Sequence, residues 1–233
     1  MDISDFHIAD ICICIVLACL WLYLSDKEPN HQYIPDNDSN SSYPYKNTGM
    51  SGGLNLTIVM VVPCIIDLII YFIAKYSKNA KYIIPFDLIE LLCTHIGCIL
   101  FAGNVCHILK CYIGRPRPDY YEFTKNHLPE EESLREHEIR EAFKSFPSGH
   151  SCTSASGSLF CTLTLIKVID ANDLWCIFLK MIPMMYAFYI GSMRIAEYRH
   201  HTDDVIAGLL IGFIVAGVFF FAASTHIFVT IKP

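Results

Sequence analysis

Apolar and polar positions alternate along this chain in long blocks. Residues 8–24, 54–74, 88–109, 153–169, 174–193 and 205–228 form six mostly apolar runs, and the charges gather between them. Each run reaches or approaches the roughly 20 helical residues that cross a bilayer core. The pattern predicts an all-α fold, a six-span transmembrane helical bundle, with residues 1–233 as one domain. The first run is short, follows Asp2 and Asp5 and holds Asp10 near its start, with no Lys or Arg before it. A signal peptide needs a positive leading region, so this run reads as a retained helix. The last run carries Ala207, Gly208, Gly212, Ala216 and Gly217. Small residues of this kind let helices approach closely in lipid. Between the third and fourth runs, residues 129–144 are charged and helix-prone, with Leu134 and Ile139 as the large aliphatics. That stretch reads as a short surface helix or loop with a solvated face.

Composition supports the membrane reading. The 233 residues are 53% hydrophobic and only 17% charged, and the mean hydropathy is +0.39; a soluble domain carries about 25% charge. A net charge of −6 excludes nucleic acid as a partner, which requires a basic face. Of the eleven cysteines, Cys12, Cys14, Cys19, Cys64, Cys93, Cys98, Cys161 and Cys176 lie in apolar runs, where thiols pack as small hydrophobes. No CxxC pair occurs, so neither a zinc site nor a disulfide framework is indicated. Lys75, Lys78 and Lys81 between the second and third runs place that connection, and hence both termini, in the cytoplasm. The first, third and fifth connections then face the lumen or the outside of an endomembrane or plasma membrane. The first holds sequons at Asn37 and Asn40, which fit that side. The third is rich in basic residues, among them Arg115, Arg135 and Arg140. Glu122, Glu130, Glu131, Glu132, Glu136, Glu138 and Glu141 offset them.

Three motifs carry chemistry, and the span parity puts all of them on that same face. Lys110 and Arg117 flank a turn containing Gly114, Pro116 and Pro118. Arginine offers paired donors to phosphate oxygens and lysine a point charge; the plainer reading is snorkelling at a helix end. Arg115 reads as a flanking residue. Pro147, Ser148, Gly149 and His150 precede a small polar run. They suit a helix start whose free N–H groups favour an anion, with His150 able to donate a proton. The third motif holds Arg194, His200 and Asp204. A carboxylate bonded to one imidazole nitrogen frees the other as a nucleophile. Spacing alone leaves His201 with Asp204, or His200 with Asp203, as alternative pairs. His200, His201, Asp203 and Asp204 also have metal-ligand character, but three fixed cations reduce the need for an ion, and no metal or cofactor is expected. Pro63 and Asp67 are oddities inside the second run. Asp67, Glu90 and His95 are the main features that would favour a transporter.

Taken together, Lys110 with Arg117-Pro118, Pro147 to His150, and Arg194 with His200 and Asp204 resemble the type 2 phosphatidic acid phosphatase family, the lipid phosphate phosphatases. The resemblance covers residues 109–212 by motif and the whole chain by its six-run layout, and it favours pairing His200 with Asp204. It implies a metal-independent phosphohydrolase acting on a lipid phosphate such as phosphatidic acid. His200 would be the nucleophile forming a phosphohistidine, Asp204 its orienting partner and His150 the acid. Lys110, Arg117, Ser148, Gly149 and Arg194 would bind the phosphate. One departure stands out: Met193 occupies the place before the arginine where the family usually has serine, with Ser192 one position earlier. Substrates carrying a diphosphate or a sphingoid phosphate are alternatives on the same fold. A catalytically inactive membrane interaction protein is another, although His150, His200 and the arginines are all retained. The resemblance leaves room for a homo-oligomer.

Overall fold

The computed structural model describes residues 3–36, 38–47, 49–76 and 82–228, without the side chains of 3–6. The described residues form eight α-helices: α1 (Ile3–Asp26), α2 (Gly52–Tyr76), α3 (Leu88–Ile113), α4 (Tyr120–Asn126), α5 (Glu132–Ala142), α6 (Gly149–Val168), α7 (Leu174–Ala196) and α8 (Thr202–Ile227). No strand forms among the described residues; two isolated bridges, Ile83 with Ile169 and Phe86 with Phe228, tie connections to helix ends. Asn37, Lys78 and Lys81 lie outside the described residues. Lys75 closes α2, and Asn40 sits in a short 3-10 turn capped by Asp38.

Six long helices correspond to the six apolar runs, and most extend past them. Backbone hydrogen bonding continues through the polar flanks, so Lys110, His150, Arg194 and Asp204 sit on helical turns rather than in loops. Five of the six, α1, α2, α3, α7 and α8, are long and apolar enough to cross a membrane. The exception is α6, which is also the central helix and packs against α2, α3, α7 and α8. A helix walled in by others need not be greasy. Ser151, Ser154, Ser156 and Ser158 are all buried along it, and Ser156 Oγ bonds back to the Thr153 carbonyl at 3.1 Å.

Small residues on both sides bring α8 against α6. A Cβ added at Gly212 would strike the Cys152 carbonyl, and one at Gly208 would lie 2.5 Å from the Ser148 carbonyl oxygen. At the opposite end of these helices Leu91, Cys98, Phe160, Val168, Phe220 and Ile227 form the apolar core. The outer faces of α1, α2, α7 and α8 leave Leu22, Phe72, Phe178 and Val218 exposed, a surface suited to hydrocarbon. At the end of α3, Gly114 adopts φ 58° and its N–H caps the Lys110 carbonyl. A side chain there would collide with the Asn30 backbone of the first connection, so glycine is required.

The charged stretch 129–144 departs from expectation. Its helix forms as α5, but the C-terminal end is not solvated. Ala142, Phe143 and Lys144 are buried, because Lys144 Nζ reaches the Ser25 carbonyl at the end of α1 (2.7 Å) and Glu141 (2.9 Å).

Candidate active site

One cavity of about 330 Å³ lies where the C-terminal parts of α1 and α3 meet the N-terminal ends of α2 and α6 and the connection before α8. Lys110, Arg117, Gly149, His150 and His200 line it, together with Trp21, Asn55, His107, Glu141 and Thr153. Residues spread over 91 positions of the chain (110 to 200) thus share one wall. Ser148, Arg194 and Asp204 stand just behind that wall.

His200 is 3% exposed, and its Nδ1 lies 2.7 Å from the Ser145 carbonyl. A carbonyl only accepts, so Nδ1 carries the proton and Nε2 keeps its lone pair. Burial pushes the imidazole pKa well below its ordinary value, and the Asp204 charge opposes this. Arg117, Lys110 and Arg194 add to the lowering. The neutral, nucleophilic form is therefore the resting form.

The expected hydrogen bond from His200 to Asp204 is not direct; the two lie 3.8 Å apart. The Asp204 carboxylate, fully buried, instead accepts from Ser145 Oγ (2.6 Å), the His201 backbone N–H (2.8 Å), His201 Nδ1 (3.2 Å) and Arg115 Nη1 (2.7 Å). His201 is the N-cap of α8 and Asp204 its N3 residue, so the pair forms a capping box. The three-residue alternative pairing is thus the one with a hydrogen bond. Asp204 is linked to His200 through Ser145, whose hydroxyl donates to the carboxylate and whose carbonyl meets His200 Nδ1. Arg115 proves more than a flanking residue, since the same Nη1 also meets Asp203 at 2.5 Å.

The cations are fixed by carbonyls and carboxylates. Lys110 Nζ donates to the Lys144 carbonyl. Arg117 donates to the carbonyls of Glu141 (2.8 Å) and Arg199 (3.3 Å). Burial and the nearby Arg199 push its pKa down to about 9, with Glu141 opposing, so the guanidinium stays charged at neutral pH. Burial pushes the Glu141 carboxyl upward, but Arg117 and Lys144 outweigh it and hold the pKa below the ordinary range. Arg194 is 2% exposed and bonds Glu197 at 2.7 Å and the Met50 carbonyl at 3.5 Å. Its Nε has no partner among the described residues, which leaves a buried donor free for an oxyanion.

Ser148 caps α6, accepting from Ser151 N (3.4 Å) and Ser151 Oγ (2.9 Å), while its own N–H donates to the Asp204 carbonyl at 2.9 Å. That last bond ties the second motif to the third. Gly149 is a neighbour of Lys110: a Cβ there would meet Lys110 Cε at 3.6 Å, an ordinary contact. His150 Nε2 donates to the Met50 carbonyl at 3.2 Å.

Sequence reasoning missed several cavity residues. His107 lies one helical turn before Lys110, a spacing that puts both on one face. Its ring meets Trp21 edge-on at 4.9 Å. Glu141 hid in a charge run, and no local signal marks Asn55 or Met50 as neighbours of His150.

Comparison with known proteins agrees with this geometry. The sequence profile of the PAP2 superfamily matches residues 91–227, and the chain belongs to that superfamily. It is 28% identical to lipid phosphate phosphatase 2 of Arabidopsis thaliana, over 93% of this chain and 77% of that protein. Diacylglycerol pyrophosphate phosphatase 1 of Saccharomyces cerevisiae is 26% identical, over 93% and 79%. Phospholipid phosphatase 1 of Mus musculus is 27% identical, over 86% and 78%. No solved structure matches the chain.

Proposed function

We propose that this PAP2 superfamily chain is a six-span membrane phosphatase. It would hydrolyse the phosphomonoester of phosphatidic acid and related lipid phosphates through a phosphohistidine, without a metal ion. The observation carrying this reading is the orientation of His200. Its Nδ1–H is tied to the Ser145 carbonyl at 2.7 Å, and Nε2 is left free on a cavity whose wall also holds Lys110, Arg117 and His150.

The phosphate would sit against Lys110, Arg117 and the start of α6, with Gly149 in the cavity wall and Ser148 and Arg194 donating from just behind it. Fixed donors of this kind favour the charge that builds up during transfer. His200 Nε2 attacks phosphorus, the bond from phosphorus to the lipid oxygen breaks, and His150, entering the step as the imidazolium with Nε2–H on the Met50 carbonyl, gives its Nδ1 proton to that oxygen. Proton donation of this kind is worth roughly 10²- to 10⁴-fold in rate. The ring of His200, now cationic, keeps Nδ1–H on the Ser145 carbonyl, with the Asp204 charge 3.8 Å away. Water, giving its proton to His150, then attacks phosphorus. Inorganic phosphate leaves and Nε2 regains its lone pair.

The crossings would be α1, α2, α3, α6, α7 and α8, with α6 shielded from lipid by its neighbours. The cavity would open on the lumenal or extracellular side, with both termini cytoplasmic. A second reading, favoured by the name of the yeast relative, puts the terminal phosphate of a lipid diphosphate in the same site. The test is phosphate release from phosphatidic acid by the purified protein in EDTA, beside His200→Ala. Activity is expected in wild type and lost in the variant. Full activity in the variant refutes the nucleophile, and loss of wild-type activity on chelation refutes the metal-free reaction. Faster release from diacylglycerol pyrophosphate favours the second reading.

A further inference from the structure

Asn55 is 1% exposed in the first turns of α2, inside a helix whose outer face is apolar. An uncompensated buried amide is costly there. This one is saturated. Nδ2 donates to Thr153 Oγ1 at 2.9 Å and to the His150 carbonyl at 3.4 Å. Oδ1 accepts from Ser154 Oγ and from the Tyr186 hydroxyl, each at 2.9 Å. The amide orientation follows from the partners, because a backbone carbonyl can only accept and must therefore face Nδ2. The four partner groups fall on two helices, α6 and α7. One side chain thus joins α2 to the first turn of α6 and to α7, the helix that ends in Arg194.

Five residues before Asn55, the Met50 carbonyl accepts from His150 Nε2 at 3.2 Å. The start of α2 therefore grips His150 twice, by backbone and by ring. Thr153, the other acceptor of Asn55, in turn donates to the Gly149 carbonyl at 3.0 Å, which extends the grip to the glycine beside Lys110.

We infer that Asn55 is a positioning residue for His150, setting where the proton for the leaving oxygen is held. This rests on the reading of His150 as the acid. Asn55→Asp keeps the volume and the acceptor for Ser154 and Tyr186, but replaces the donor facing the His150 carbonyl with an oxygen. The His150 carbonyl then loses its tie to α2 and keeps the Thr153 hydroxyl at 3.4 Å, while the link from α2 to α7 remains.

The test compares kcat/KM for two leaving groups in folded, purified protein. An alkyl phosphate such as phosphatidic acid leaves as an alkoxide and needs the proton. An aryl phosphate such as p-nitrophenyl phosphate leaves as a stable phenolate and does not. Asn55→Asp is expected to lose roughly ten-fold or more on phosphatidic acid, and to stay within about three-fold of wild type on the aryl ester. His150→Ala should show the same selectivity more strongly. Equal loss on both esters means a merely structural role and overturns the inference, as does no loss on either. If Asn55→Asp fails to fold, Thr153→Val removes the oxygen that Asn55 bonds. It must then show the same selective loss while Thr153→Ser keeps both activities; a Thr153→Val protein that loses or keeps both equally also overturns the inference. Wild-type protein inactive on both esters would instead refute the phosphatase reading, so the two failures are distinguishable.

Discussion

Gly208→Ala is a small change with a large expected consequence. Its new Cβ would lie 2.5 Å from the Ser148 carbonyl oxygen, 3.1 Å from Ser151 Cβ and 3.3 Å from the Cys152 nitrogen. An ordinary carbon–oxygen contact is about 3.3–3.6 Å, so α6 and α8 must part by about 1 Å locally. Two of the three obstacles are backbone, which no rotamer change relieves. That seam is also where the proposed catalytic groups meet. Ser148, Gly149 and His150 ride on α6, His200 and Asp204 lead into α8, and the Ser148 N–H reaches the Asp204 carbonyl across it at 2.9 Å. Overpacking costs about 1–3 kcal/mol of stability, and a misplacement of about 1 Å between reacting groups costs up to ~100-fold in rate. The expected outcome is a folded protein with a lowered melting temperature and kcat/KM on phosphatidic acid reduced about 10- to 100-fold. Gly217→Ala is the control, since its Cβ meets nothing within 4 Å, and it should leave activity unchanged. Wild-type kcat/KM in Gly208→Ala would refute the argument that the close α6–α8 seam sets the spacing of the nucleophile and the acid.

Other expectations concern charge and topology. Arg115→Ala should destabilise by about 1–3 kcal/mol and slow turnover, because it strips one donor from the buried Asp204 carboxylate. Thermal melts and kcat/KM check both effects, and Asp203→Asn, at an exposed position, should have little effect on either. Burial holds the His200 pKa below its ordinary value of 6.5, so the unfolded chain takes up a proton before the folded one does. The stabilisation is then fully present above about pH 6.5 and is lost progressively as pH falls toward the folded pKa. Melting temperatures from about pH 7 down to about pH 5 should drop more steeply for wild type than for His200→Gln; parallel curves would contradict this. Tags at either terminus should resist external protease in sealed, right-side-out vesicles, and their digestion would reverse the proposed orientation.

Much of the site was legible because its chemistry is written in side chains at fixed spacings. Lys110, Arg117, Gly149, His150 and His200 were all singled out by motif, and all line one cavity. The apolar runs located all six long helices within a few residues at most ends. Legibility failed where the partner is backbone or arrives from a distant helix. The Ser145 carbonyl that orients His200, and the Met50 carbonyl that holds His150, carry no residue-specific signature. Glu141 looked like one more charge in a solvated run until Lys144 anchored that run to Ser25.

By itself, then, the sequence determined the long helices, the membrane environment and the motif residues that come to line one cavity. Hydropathy periods and motif spacing are local properties, and they survive without knowledge of packing. Only the tertiary structure decided which nitrogen of His200 is free, and that the Asp204 carboxylate bonds Ser145, His201 and Arg115 rather than His200. It also decided that the least apolar long helix stands at the centre. Those outcomes depend on which helix faces which, and close contact at Gly208 and Gly212 sets that choice. A spacing of four residues can suggest a pair, but hydrogen-bond distance is settled by how the chain closes around it.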